Sequence, residues 1–359
     1  MKRILVLLGF VVFIIAGCTE KTEDNNEKNN EEKVPPNSEK VEVDIQQFVA
    51  DASTFHFVVD WLSDEEILFV EKQADIYRLK TFNIYTKDIR VLYEDKQIIA
   101  DVRIHPVSND LLIQTTASPT AATVKVISLE GVVLNEVSIE SAELAIEWND
   151  LDPAQLLLTA FYEDWSYDVF YFNGGSNDFS ILPIEDPFPK WLGLGHFVLA
   201  DAMDKERLAI YDVQSGAKEF LEARSVLTFD TFKNALLIAQ LTTDELVNYS
   251  IINENQDLVA SWGMPFSESE EWGTFPAFQW IDEMSGMAIR PAIDEQSVET
   301  TYELVKFEGE NETIIMEGLE NTSLVCSPNQ KLCLTGTGLA QILDLEEVTK
   351  TPWLQLKGE

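Results

Sequence analysis

The chain is short of positive charge. Its 25 Lys and Arg face 63 Asp and Glu, for a formal net charge of −38. Nucleic-acid affinity depends on neutralising phosphates with Lys and Arg, so no nucleic-acid partner is expected. Direct adsorption to an anionic membrane is disfavoured for the same reason. Such acidity keeps an exposed protein soluble and suits a saline or alkaline habitat. Histidine is scarce: His56, His105 and His196. His56 lies in "TFHFVV", His105 precedes Pro106 and His196 follows a Gly-x-Gly turn, and each reads as structural. Catalytic motifs are missing as well. There is no Gly-x-Ser-x-Gly nucleophile elbow, no Asp-box turn and no zinc-type His-x-x-Glu-His pattern. "GLGH" at 193–196 has no helix after it and is no dinucleotide loop. "NENQD" at 253–257 echoes alternating calcium ligands, but Leu258 stands where such a loop needs Gly. No catalytic residue, metal ligand or cofactor is assigned. Calcium held in clustered carboxylates is the one cofactor alternative.

Long apolar runs are also lacking. The longest, Ile4 to Ile15, follows Lys2 and Arg3 and is broken by Gly9. A bilayer-spanning helix needs about 20 apolar residues, so this run reads as a signal peptide. It ends in Ile15-Ala16-Gly17-Cys18, which resembles a bacterial lipobox. Small residues there suit a peptidase, and the Cys18 thiol can carry a thioether-linked diacylglycerol with palmitate-type chains. Two acyl chains suffice for stable anchoring. Residues 1–17 are therefore expected to be removed, leaving Cys18 as the membrane anchor. Thr19 to Lys40 is nearly devoid of apolar residues and cannot offset its ordering entropy. Residues 18–40 read as a lipidated cysteine and disordered acidic tether. Residues 41–359 read as the folded domain, held at the outer face of a bacterial cytoplasmic membrane, with a Gram-positive-type envelope expected.

Cysteine is sparse. With Cys18 lipidated, Cys326 and Cys333 remain, in "SLVCSPNQKLCLTG". If Asn329-Gln330 forms a two-residue turn, 328 pairs with 331 and 326 with 333. The thiols then face each other near disulfide distance, in a compartment that permits a bridge. In that register the two cysteines would form a hydrogen-bonded pair, a less usual disulfide site.

Amphipathic helix is missing from residue 54 onward. What recurs instead is a β-type unit: an apolar strand often ending in Trp or Pro, an acidic or Asn/Gly turn, then a second apolar strand. The pattern appears in "FVVDWLSDEEILFV", "DVRIHPVSNDLLIQ", "AIEWNDLDPAQLLLTA", "FPKWLGLGHFVLA", "VLTFDTFKNALLIAQ", "AFQWIDEMSGMAIR" and "LVCSPNQKLCLTG". The markers Trp61, His105, Trp148, Trp191, Phe229, Trp280 and Cys326 recur at roughly the 40 to 45 residues of a propeller blade, with one long step after Phe229. A third strand and a more variable outer strand follow each hairpin. A single four-stranded sheet cannot bury both faces, so blades stack radially. The expected fold is an all-β propeller of four-stranded blades, seven by this count. Trp61, Trp148, Trp191 and Trp280 are expected to fill gaps between neighbouring blades.

The layout of lipobox, polar tether and propeller resembles the uncharacterised YqgU-like lipoproteins of Bacillus relatives. The resemblance lends no site residues. It implies a propeller of six blades, the alternative to seven.

In a propeller the hairpins between first and second strands open on one face. The loops from second to third strand, and from the fourth strand to the next blade, open on the other. Here the long loops fall on that second face: 161–168, 183–190, 262–276 and 290–300. They concentrate Tyr162, Trp165, Tyr167, Phe188, Trp262, Phe266 and Trp272, residue types that suit hot spots or sugar stacking. Arg290 and Lys190 are rare cations there, suited to neutralising a carboxylate ligand. The expected function is a non-catalytic binding or scaffold module, monomeric, that meets an envelope protein or glycan through this face. The alternative is a carboxylate-dependent hydrolase or lyase acting on a cell-envelope glycan or peptide. Inward-facing carboxylates that sit in a pocket, one of them with a raised pKa, would favour the latter, and their absence would exclude it.

Overall fold

The structure is a computed structural model that describes residues 44–358, apart from 205, 243–245, 266–277 and 293–300. Seven four-stranded antiparallel sheets succeed one another along the chain. They form seven blades in a ring: 55–95, 98–140, 143–182, 190–220, 226–265, 278–319 and 324–352. There is no α-helix among the described residues.

Burial explains why the strands differ. The second strand of each blade is covered on both faces by neighbouring blades, so its sequence is a continuous apolar run. Ile67 to Val70, Leu156 to Leu158 and Leu236 to Ile238 are all buried. Each such side chain contributes roughly 1.5–3 kcal/mol of burial free energy. Fourth strands lie at the rim, and Lys218–Phe220 is exposed throughout. First strands alternate: Leu144, Ile146 and Trp148 are buried, whereas Ala145 and Glu147 are half-buried. On an innermost strand the polar side of that alternation faces the central channel rather than the outer surface.

The expected tryptophans do sit between blades. The Trp61 indole donates to the Val325 carbonyl of blade 7 (3.1 Å), Trp191 to Glu147 of blade 3 (3.2 Å) and Trp280 to an Asp230 carboxylate oxygen of blade 5 (3.0 Å). His105 occupies the same place in blade 2, fully buried. Its Nδ1 accepts from the Ser108 amide (3.0 Å) and its Nε2 lies 2.8 Å from the Asn149 carbonyl, which assigns the proton to Nε2.

No blade borrows a strand from the other end of the chain. Instead a strand at Phe48–Asp51 pairs in parallel with the last strand, Leu354–Lys357. Phe48 packs its ring against Phe69 (4.9 Å) and Phe82 (5.0 Å) of blade 1, and against Trp353 (6.3 Å). The same core holds Leu332, Leu334 and Ile342 of blade 7. This clasp closes the ring between its first and last blades.

Cys326 and Cys333 are disulfide-bonded, with Cα atoms 3.9 Å apart. The register pairs 326 with 333, but the hydrogen-bond pattern differs from the expected one. The Ser327 amide donates to the Leu332 carbonyl (2.8 Å), so 327 and 332 form the hydrogen-bonded pair. The cysteines fall on the adjacent non-hydrogen-bonded pair, where strands approach more closely. Pro328 is the reason: it has no N–H and cannot close a two-residue hairpin with Lys331.

Candidate functional site

On the long-loop face of blade 3 the chain forms a cleft of about 380 Å³, lined by Ala142, Glu143, Phe161, Tyr162, Glu163, Trp165 and Phe188. Two loops build it. The 161–168 loop is closed by two backbone bonds at Tyr162, whose N–H donates to the Ser166 carbonyl (2.9 Å) and whose carbonyl accepts from the Trp165 N–H (3.0 Å). Asp164 accepts from the Ser166 amide (3.1 Å) and hydroxyl (2.6 Å), an Asx-type turn. Tyr162 donates to Asp168 (2.9 Å). The second loop, 183–190, is held by buried Asp186, which accepts from the amides of Phe188 (2.9 Å) and Ala200 (2.5 Å). Thr159 donates to the Pro187 carbonyl (2.7 Å). These bonds fix Phe188 with its ring 5.7 Å from Phe161 at 36°. Phe161 also lies 5.8 Å from Tyr167.

Trp165 is the unusual member. It is 88% exposed, and its φ is +66°. A bulky residue in that left-handed region is a conformational outlier that Gly or Asn would adopt more cheaply. Neither packing nor backbone preference selects Trp at this position.

The structure therefore brings Tyr162, Trp165 and Phe188 together, with Tyr167 behind them. It separates two other residues of the expected set. Trp262 is not in a loop. It lies in the strand Leu258–Pro265, 5% exposed, stacked at 4.5 Å on Phe307 and 5.9 Å on Tyr249. The signal was present in sequence: Ala260, Trp262 and Met264 are buried at period two. Arg290 is likewise committed within the fold. It is buried and bound to Glu303 (2.9 Å) and Glu312 (2.7 Å), and Glu303 is its cross-strand neighbour. Phe266, Trp272 and Cys18 lie outside the described residues.

Lys190 also has partners of its own, Glu147 (3.2 Å) and Asp230 (3.6 Å). They form an acidic group on the channel side of blades 3 to 5. Asp150 belongs to it, accepting from the Lys233 amide (2.9 Å). Burial pushes the Glu147 carboxyl up to about 7 against the pull of Lys190, and Asp230 and Asp150 add to the rise. Burial also raises Asp60, in blade 1, to about 6. Burial opposes the Lys190 charge, but Glu147 and Asp230 outweigh it and raise that pKa. Sequence reading missed Glu147, because in "AIEW" it looks like an ordinary solvent-facing position. The cavity beside Glu147 and Lys190 is about 90 Å³ and shares Phe188 with the aromatic cleft. Among the described residues no cluster of His, Cys, Asp and Glu has the arrangement of a metal site.

Residues 83–336 match the family described as YqgU-like six-bladed β-propeller domain. The chain belongs to that family. The match starts at the end of the third strand of blade 1 and stops after the second strand of blade 7. It thus takes in blades 2 to 6 whole. The full ring here has seven. The uncharacterized lipoprotein YqgU of Bacillus subtilis (strain 168) is 24% identical, over 95% of this chain and 94% of that one. The solved structure of the uncharacterized protein lmo1340 from Listeria monocytogenes EGD-e superposes with a TM-score of 0.78. It is 21% identical over 88% of this chain and 99% of that one. The β-propeller domain of the trilobed protease from Pyrococcus furiosus, which has an open velcro topology, superposes with a TM-score of 0.55. Its identity is 13%, over 85% of this chain and 100% of that domain. At these identities the two structures speak for the fold.

Proposed function

We propose that this YqgU-like protein is a lipid-anchored extracytoplasmic binding module that captures its ligand in the aromatic cleft of blade 3. Trp165 carries the reading. An indole held in the open at positive φ is selected for contact with something outside the chain, since strained positions persist where function demands them. The pinned 183–190 loop supports it by presenting Phe188 ready-made, so little ordering entropy is lost on binding. The lipobox-like Ile15 to Cys18, the polar tether and a relative named as a lipoprotein support the anchor. The protein is non-catalytic and acts as a monomer at the outer face of the membrane.

The experiment places a photo-crosslinking residue at 165 in intact cells, with a matched control at Ile89 on the rim of blade 1. A discrete envelope component captured from 165 and not from 89 is expected. Equal patterns from the two positions would overturn the reading. In the same cells Cys18→Ser should move the protein from the membrane to the soluble fraction.

A second reading, carboxylate chemistry in the channel, has one observation in its favour: the raised Glu147. The adjoining cavity of about 90 Å³ is well short of the roughly 300 Å³ at which ligand pockets begin. Binding at the cleft is therefore the better supported of the two.

A further inference from the structure

The lining of the blade 3 cleft has a one-sided chemistry. Four of its seven side chains are aromatic (Phe161, Tyr162, Trp165, Phe188), two are carboxylates (Glu143, Glu163) and one is Ala142. No Lys, Arg or His lines it. Glu143 and Glu163 form no ion pair and no side-chain hydrogen bond among the described residues. Glu143 stands directly opposite Phe161 across the strand pair, which sets one carboxylate beside one ring. The Tyr162 hydroxyl is already committed as a donor to Asp168 (2.9 Å). The Trp165 indole N–H is left as the one side-chain donor the lining can offer. Burial raises the Tyr162 pKa, and the negative charges of Asp168 and Glu140 beside it raise it further. The nearby cations are already paired: Lys190 with Glu147 and Asp230, and Arg103, which reaches the Ile146 carbonyl, with Asp101.

Each ligand class meets this lining differently. An anion meets two unpaired carboxylates in a chain of net charge −38 and is repelled. A neutral sugar needs donors as well as acceptors for its hydroxyls, and the lining offers a single free donor. A cation with an apolar skin finds both of its requirements: aromatic faces that attract positive charge and carboxylates that neutralise it.

We infer that the cleft binds an alkylammonium cation between the faces of Trp165, Tyr162, Phe161 and Phe188, with Glu143 and Glu163 as its counter-charges. This rests on the reading of the cleft as a binding site and specifies its ligand chemistry. The alkylammonium is either a quaternary small molecule or the side chain of a lysine-bearing peptide.

The test uses the full mature chain in detergent micelles and follows tryptophan fluorescence during titration. The probes are choline, Nα-acetyl-lysine methylamide, an uncharged chitin oligosaccharide and acetate. Saturable binding of choline or of the lysine derivative, and not of acetate, is expected; whichever of the two binds identifies the source. Trp165→Ala should weaken it about tenfold or more, and the double change Glu143→Gln with Glu163→Gln should weaken it by a similar factor. Added salt should weaken it as well, because the carboxylates are exposed. Both variants alter exposed side chains, and unchanged thermal unfolding checks that they fold. Binding of the oligosaccharide instead, lost in Trp165→Ala but kept in the double Gln variant, would overturn the cation and leave the binding site standing. Failure of both cations to bind, with the crosslink at 165 still formed, would overturn the cation inference alone. Loss of that crosslink as well would remove the site itself.

Discussion

Trp165 and Trp262 carry one side chain into opposite situations. The first is exposed at a turn and the second is stacked inside blade 5 (5% exposed), so residue type alone did not distinguish ligand contact from core. Glu147 makes the same point for charge, and it yields a prediction with a definite sign. Its folded pKa, about 7, lies above its ordinary value of 4.5. The native state therefore holds this proton more tightly than the unfolded chain does. The stability it contributes is present below about pH 4.5 and is lost as pH rises toward 7. Glu147→Gln removes that dependence. Denaturant unfolding of variant and parent should show the difference between them moving in the variant's favour across this window, by on the order of 2 kcal/mol. A difference that stays constant with pH would remove Glu147 from this account.

Among the elements, the strands that close the ring differ most from the repeat. The strand Phe48–Asp51 and the strand Leu354–Lys357 belong to no blade, yet Phe48 sits at the centre of the core joining blades 1 and 7. Truncating a buried Phe costs about 3–5 kcal/mol through lost transfer energy and the cavity left behind. Phe48→Ala should cost that much in chemical unfolding. Ile89→Ala, on the exposed fourth strand of blade 1, should stay within about 0.5 kcal/mol. Similar losses from both would mean that the clasp adds nothing to closure. The hairpins of each blade were legible because their second strands are apolar runs bounded by turn residues. The clasp was not, because each of its strands is short and gains its partner only from the far end of the chain.

For the whole molecule, the net charge of −38 acts on stability through self-repulsion. Lys and Arg are too few to pair with most of the carboxylates, so many negative charges face one another through solvent. Such interactions are screened over about 10 Å at moderate ionic strength and over less in concentrated salt. The melting temperature should rise by several degrees between dilute buffer and molar sodium chloride. An unchanged midpoint would mean that the acidic surface is tolerated without cost, and a saline habitat would lose its physical motive. The same repulsion favours a monomer, because two copies brought together would add their fields.

The sequence by itself determined the all-β class, the number of blades and the inner hairpins, because radial stacking imposes a repeating apolar pattern that each segment must carry locally. It also brought Cys326 and Cys333 into register, although Pro328 displaced the hydrogen bonds by one position. It pointed to Tyr162, Trp165 and Phe188 as long-loop aromatics on one face. Tertiary structure alone decided which of those aromatics share a cleft, since that depends on two loops separated in sequence, the second of them pinned by Asp186 and Thr159. It decided that Arg290 and Lys190 already have partners, and that Glu147 faces a channel instead of bulk water. Those outcomes rest on distances between blades, and the spacing of residues along a chain does not encode them until the ring has closed.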